Sequence, residues 1–394
     1  MEAVTDVVFR HVVKQAGAPD VFFTEFANAT GWVHAGDKAI AGRLIKTDDE
    51  HPLVAQIWGG EPGDMEQFAA HCAQLGFDSI DINMGCPAKS AIKSGGAALI
   101  RRPDVAVAAI TAAKTAGLPV SVKTRLGYTH VDEWREWLTT ILRQDIVNLT
   151  IHLRTKKEMS KVPAHYELID DIIALRDEIA PQTLLTINGD IRNRAHGEEF
   201  ARQHPGINGI MIGRGIFSDP FCFRASRAVS QKKSGQLYVG PGLFSDDTRE
   251  MGNKYAKLET VEHSRGADVS AERSRSISSG DLSEKSTPAK ERGAGDADFA
   301  DDVREASEAI RKEYSEGAEL SITTRKTELI ALLHYHLDLF DYYQPTLGRP
   351  YETLKRFFKI YIRDFDGAKE LRDQLMHTKS TDEARLAIAN ICNL

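Results

Sequence analysis

The sequence predicts an α/β fold: a (β/α)8 TIM barrel whose first strand is missing from this chain, followed by an all-α helical domain. Three observations predict it. Short β-branched runs alternate with amphipathic stretches as far as about residue 228, and such alternation implies parallel strands joined by helical crossovers. Seven strands can be read, one fewer than a closed barrel needs. Amide, imidazole and cationic residues gather where those strands end, which is the functional rim of a parallel barrel.

The elements follow in order. Met1 to Arg10 reads as the loop and helix that come after a strand, with Thr5-Asp6 as the N-cap region. Strands are expected at Val21 to Thr24, Leu53 to Ile57, Ser79 to Asn83, Pro119 to Lys123, Val147 to His152, Thr183 to Ile187 and Ile207 to Ile212. Helical spacing appears over Gly63 to Leu75, Asp104 to Ala116, His165 to Ile179 and Arg194 to His204. A start codon assigned too far downstream, or a shortened chain, would account for the absent first strand. The alternative is an open doubly wound sheet, but no GxGxxG follows an early strand.

The chain has 394 residues, 42% of them hydrophobic and 27% charged, enough for one large core and a smaller second one. No apolar run approaches the roughly 18 residues a membrane helix needs, and the N-terminus lacks the pattern of a signal peptide. Cys72, Cys86, Cys222 and Cys392 lie far apart and form no CxxC pair. That argues against a metal ribbon or a disulfide scaffold and suits a reducing cytoplasm. The net charge is -7, and residues 240–320 alone hold 19 acidic against 12 basic side chains, so the remainder is balanced. Folded parts of the protein can therefore still present basic patches.

Three regions follow from this composition: a barrel at 1–228, an acidic low-complexity and disordered insertion at 229–318, and a helical domain at 319–394. The insertion reads as a solvated linker, with a regulatory tail or an RNA-contacting arm as alternatives. In the helical domain, Leu329, Leu333, His336 and Phe340, then Leu354, Phe357 and Tyr361, recur at helical spacing and describe about four helices.

The stretch Asp81-Ile82-Asn83-Met84-Gly85-Cys86-Pro87 ends a buried strand with a cysteine held between Gly and Pro. A thiol at a strand's exit is placed for acid or nucleophile chemistry, whereas one in a core is inert. Gln56, Asn83, Lys123, Arg125, His152, Arg154, Asn188-Gly189-Asp190 and Gly213-Arg214 stand at the ends of the other strands. Each singly reads as a capped strand end, but so many together do not. A buried Lys123 needs an anionic or hydrogen-bonding partner. The last two strand ends offer backbone N–H groups and Arg214 to a phosphate, as barrels commonly do. With Lys123 and Gln56 near the centre, the set suits flavin mononucleotide (FMN), Lys123 lying against the N1/O2 edge and Gln56 and His152 bonding the ring or ribityl chain.

These stretches resemble the tRNA-dihydrouridine synthase family, nearest its B-type bacterial branch. The likeness is carried by Met1 to Asp6, Val54 to Ile57, Asp81 to Lys89, Val122 to Arg125, Ile151 to Thr155, Asn188 to Ile191, Ile212 to Arg214 and, C-terminally, Tyr361 to Leu375. It does not cover 230–317. It implies that NADPH reduces FMN, that hydride then passes to C6 of a uracil in tRNA, and that Cys86 gives a proton to C5. A thiol of pKa about 8.5 is mostly protonated at neutral pH and can do so. The resemblance places Met1 with Gln56, Lys123, His152, Asn188, Gly189, Asp190, Gly213 and Arg214 around FMN. It places Asn83, Arg125, Lys89 and Arg154 near the base, which must leave the RNA stack to react. The chain departs from the family in lacking the first strand, in Leu153 where Gly is usual, and over Met159 to Pro163.

Lys355, Lys359 and Arg363 follow i, i+4 spacing and are expected to track a phosphate backbone, with Arg356, Lys369 and Arg372 nearby. The expected partner is tRNA, with no membrane and no metal; a monomer is favoured. The rivals are an FMN barrel acting on a free pyrimidine, which would not need the helical domain, and a non-catalytic RNA-binding barrel.

Overall fold

A computed structural model describes residues 3–225 and 322–392. Met1 and the expected insertion at 229–318 lie outside the described residues. The eight strands are β1 (Phe22–Phe23), β2 (Ala27–Asn28), β3 (Leu53–Trp58), β4 (Ser79–Asn83), β5 (Val120–Arg125), β6 (Asn148–His152), β7 (Leu184–Asn188) and β8 (Gly209–Met211). All pair in parallel in the order β1-β3-β4-β5-β6-β7-β8, and β2 also pairs with β3. Among the described residues no strand joins β8 to β1, so this curled TIM-barrel sheet is open on one side.

The first expected strand, Val21 to Thr24, is found over Phe22–Phe23, and a second short piece, Ala27–Asn28, follows it. Phe22 pairs with Leu53, and Ala27 pairs with Ile57. Between them Thr24 turns its hydroxyl into the ladder, where Oγ1 accepts the Gln56 N–H at 3.0 Å. A side chain has taken over one backbone position, and the strand is interrupted there.

The helices flanking the sheet are α1 (Val7–Gly17), α2 (Ala29–Ala35), α3 (Asp37–Ile40), α4 (Pro62–Gln74), α5 (Pro103–Lys114), α6 (Trp134–Leu142), α7 (Ile169–Ile179), α8 (Arg194–Gln203) and α9 (Gly215–Ser218). Asp6 caps α1 as expected, its Oδ1 accepting the Phe9 N–H at 2.9 Å. Pro62 and Pro103 open α4 and α5, where a missing N–H costs nothing.

Alternation along the strands sorts the side chains. Leu53, Ile57, Ile80, Ile82, Val122, Leu149, Ile151, Leu185 and Ile187 join the buried core with Met65, Phe68, Ile110, Leu138 and Ile172 of the helices. The residues between them, Gln56, Asp81, Asn83, Ser121, Lys123, Thr150, His152 and Asn188, take the opposite face. Register brings Gln56 beside Asp81, Asp81 beside Ser121, Asn83 beside Lys123, and Arg125 beside His152. The barrel interior is therefore polar at its C-terminal end. Leu153, the departure from the expected glycine, is fully buried, and its N–H donates to Asn188 O at 3.0 Å.

The C-terminal region forms four helices, α10 (Ile322–Leu347), α11 (Lys355–Tyr361), α12 (Ala368–His377) and α13 (Thr381–Cys392). With the barrel they belong to one compact unit. The rings of Phe9 and Phe357 lie 4.7 Å apart, with His336 against both. Arg349 sits between two buried carboxylates, 2.7 Å from Asp6 and in short contact with Glu25. Arg356 donates to Ala3 O at 2.9 Å.

The expected stripe Lys355–Lys359–Arg363 is corrected by this geometry. Helix α11 ends at Tyr361, Asp364 takes a left-handed φ of 61°, and Arg363 donates to Ser218 O of the barrel. Lys355, Lys359 and Lys369 remain on a groove of about 800 Å³ that also includes Met376.

Candidate active site

The site grows from the inward face of β3 to β8. Asn83, at the end of β4, turns its Oδ1 onto the N–H groups of Gly85 at 3.1 Å and Cys86 at 2.9 Å. That side-chain turn fixes the segment carrying Cys86, which is half-buried and in no disulfide. Gly96, at φ 55°, lets the chain return closely beneath it: a Cβ there would meet Cys86 O at 2.9 Å. The Ala97 N–H donates to the same carbonyl at 3.0 Å.

Arg125, at the end of β5, is 5% exposed. Its Nε donates to Gly85 O at 2.7 Å, and its Nη1 donates to Thr155 O and Met159 O, each at 3.0 Å. It thus ties the Cys86 turn to the loop after β6. Arg154 is 2% exposed and donates to Val162 O at 2.6 Å and to Asp190 in a short contact. His152 Nε2 faces Arg154 Nη1 at 3.1 Å and so acts as an acceptor, with the ring proton on Nδ1. Burial, followed by Lys123 and the surrounding arginines, pushes His152 down to about 2, so the imidazole is neutral.

Lys123 is half-buried and donates to Asn188 Oδ1 at 3.3 Å. Burial, then Arg125, pushes it down to about 8, against the pull of Asp81 and Cys86. Asn188 Nδ2 donates in turn to Met211 O at 2.8 Å. Asp190, at φ 51°, accepts from Arg154, from the Ala164 N–H at 3.1 Å and from Arg214 at 3.3 Å. Arg214 itself is 66% exposed along its side chain. Beside it Gly213 leaves open space, since a Cβ would meet only Asn188 Nδ2, at 3.9 Å.

The structure therefore gathers Gln56, Asn83, Cys86, Lys123, Arg125, His152, Arg154, Asn188, Gly189, Asp190, Gly213 and Arg214 at one end of the sheet. Lys89 is exposed on the loop beyond Pro87 and stands apart from this network. Sequence reasoning missed Asp81, Ser121 and Thr24 as members of the network. An aspartate inside an otherwise aliphatic strand was the available signal. Four cations (Lys123, Arg125, Arg154 and Arg214) meet three carboxylates (Asp81, Glu158 and Asp190) in this cluster. The imbalance fits an anionic group, with the open position at Gly213 to receive it.

A parallel α/β barrel with convergent cations and a loop cysteine at its strand ends is the architecture of a barrel enzyme that handles an anionic ligand. The family described as "Dihydrouridine synthase (Dus)" matches residues 1–265. The chain is 46% identical over 387 residues to "Probable tRNA-dihydrouridine synthase 2" of Bacillus subtilis, covering 98% of this chain and 90% of that protein. It is 43% identical to the "Probable tRNA-dihydrouridine synthase" of Staphylococcus epidermidis, covering 98% and 90%. The Staphylococcus aureus protein of the same name is also 43% identical, covering 98% and 89%. The chain belongs to the dihydrouridine synthase family.

Proposed function

We propose that this protein reduces the 5,6 double bond of uridines in tRNA, in the cytoplasm, as a tRNA-dihydrouridine synthase dependent on FMN and NADPH. The observation that carries this reading is the position of Cys86. It sits on a turn pinned by Asn83, with the Lys123 and Arg125 cations close enough to act on its sulfur. Lys123, Gln56, His152, Asn188 and Gly189 would hold FMN, with Gly213 and Arg214 at its phosphate and Asp190 keeping Arg154 and Arg214 in place. When bound, FMN supplies a hydride, drawn from NADPH, for C6 of the pyrimidine.

The chain's own residues do the rest. Cys86 gives its Sγ proton to C5 and is left as a thiolate, which Lys123 and Arg125 stabilise. Asn83 and Arg125 hold the turn that presents the thiol. The exposed Lys89 would flank the entry of the flipped base, and the buried Arg154 would hold the loop after β6 beneath it. Lys355, Lys359 and Lys369, lining the groove on α11 and α12, would take the RNA backbone.

The test is mass spectrometry of tRNA nucleosides from cells lacking the gene, with return of the wild-type gene or of Cys86→Ala. Dihydrouridine should fall on deletion, return with the wild type and stay low with the variant. Unchanged dihydrouridine on deletion would end the substrate assignment.

A further inference from the structure

Asp81 is fully buried, and the reaction outlined above leaves it without a part. Its carboxylate accepts from Gln56 Nε2 at 2.8 Å and from Ser121 Oγ at 2.6 Å. Gln56 Oε1 accepts from Asn83 Nδ2 at 3.2 Å. Asn83 Oδ1 accepts the N–H groups of Gly85 and Cys86 at 3.1 and 2.9 Å. Four side chains and two backbone groups thus form one buried chain of hydrogen bonds, from the middle of the sheet to the cysteine turn.

Chemistry fixes the sense of each link. A backbone N–H only donates, so Asn83 must turn its oxygen to the loop and its NH2 to Gln56. Gln56 must meet that NH2 with its oxygen, which leaves its own NH2 for Asp81. Asp81 Oδ2 accepts at the far end, in the sense set from the loop, although burial pushes its carboxyl up. A buried primary amide without such anchors can turn over with little change of shape, and either half-made state leaves polar groups unsatisfied.

We propose that Asp81 is a positioning residue for Cys86, fixing through Gln56 and Asn83 the turn that carries the thiol. The inference rests on the reading of Cys86 as proton donor, because it says how that donor is held. It predicts an unusual repair. Gln56→Glu sets two carboxyl groups face to face, a link that survives only while they share a proton, so exchange is read at alkaline pH, where both ionise and the first link breaks. Adding Asp81→Asn places an NH2 opposite the introduced carboxylate, whose other oxygen still accepts from Asn83. Asn83→Asp likewise leaves Gln56 between two carboxylates, and Asp81→Asn lets the Gln56 amide reverse and serve both neighbours.

The measurement is hydrogen exchange of the Gly85 and Cys86 amides in the purified full-length protein. Leu138 and Ile141 amides in the core of α6 report global opening. Each single substitution, Gln56→Glu or Asn83→Asp, is expected to quicken exchange at Gly85 and Cys86 by about tenfold or more. Adding Asp81→Asn should bring it back to within about threefold of the parent. Repair of either supports the relay. No quickening in the single variants, or repair in neither pair, overturns it. The proton-donor reading is judged separately, by whether Cys86→Ala still reduces tRNA.

Discussion

Arginines at the junction of α1 with the helical region pair with buried carboxylates, whereas Lys123 and Arg125 at the strand ends hydrogen-bond to an amide oxygen and to backbone carbonyls. Arg349 lies between Asp6 and Glu25, and Arg10 pairs with Glu50 at 2.6 Å, both groups nearly inaccessible. Lys123 has one long hydrogen bond, and burial drives it towards its neutral form. Removing one partner of a buried ion pair is costly, because the other charge is left uncompensated. A cation shielded from water without a carboxylate partner is costly, and an anionic ligand would offset that cost. The same residue types therefore mark a joint in one place and a candidate binding site in the other.

The comparison can be broken at four points. The largest effect is expected for Cys86→Ala, which should lower tRNA reduction by roughly 10²- to 10⁴-fold, the usual contribution of a positioned acid. Its melting temperature should stay within a few degrees of the parent, and a large loss of stability would move Cys86 to the structural side of the comparison. Next comes Arg349→Met, which leaves Asp6 and Glu25 facing each other without their cation. A loss of about 3 kcal/mol or more in denaturant unfolding is expected, and a neutral result would remove the joint.

A third expectation concerns pH. Burial, then Arg125, pushes Lys123 down to about 8, so its cationic form is lost as pH rises through that point. FMN affinity, followed by fluorescence titration, should weaken above about pH 8 in the parent, and Lys123→Met should bind weakly at every pH. For stability the sign is opposite: the folded state binds fewer protons than the unfolded one between about 8 and the ordinary lysine value, so the empty protein gains stability as pH rises there.

The smallest effect is expected at the rim. Glu133 accepts the N–H groups of Tyr128, Thr129 and His130 at 2.7, 3.0 and 2.8 Å, which holds its carboxyl below the ordinary range despite some desolvation. Its contribution is present above the ordinary glutamate pKa and fades as pH falls through the depressed one. Glu133→Gln should cost about 1 kcal/mol at neutral pH and nothing at strongly acidic pH, checked by denaturant unfolding at both. A loss of tRNA reduction without loss of stability would shift this residue to the site.

Much of this was legible in the chain. Six of the strands fall within a residue or two of where β-branched runs and turn residues set them, and the Asp6 cap followed from its side chain alone. That the strand-end residues gather was legible because a parallel barrel brings its strand ends to one rim. What stayed hidden was pairing across the sheet. Nothing in Ser79-Ile80-Asp81-Ile82 says that Asp81 meets Gln56 and Ser121, since that depends on the register of three strands. Thr24 interrupts a strand by a hydrogen bond to a residue far along the chain, which local pattern cannot hold. The basic stripe failed at Arg363 because i, i+4 spacing assumes the helix continues, and α11 stops two residues earlier.

One contact has a practical consequence for dissecting the protein. Phe9 is 2% exposed and rests on Phe357 and His336, so removing the C-terminal helices would strip a lid from the apolar side of α1. A truncated barrel that precipitated or lost its activity would then report a sticky wound rather than a lost RNA grip. Point changes at Lys355 and Lys359, which leave that cover in place, are the cleaner way to ask what the helices recognise.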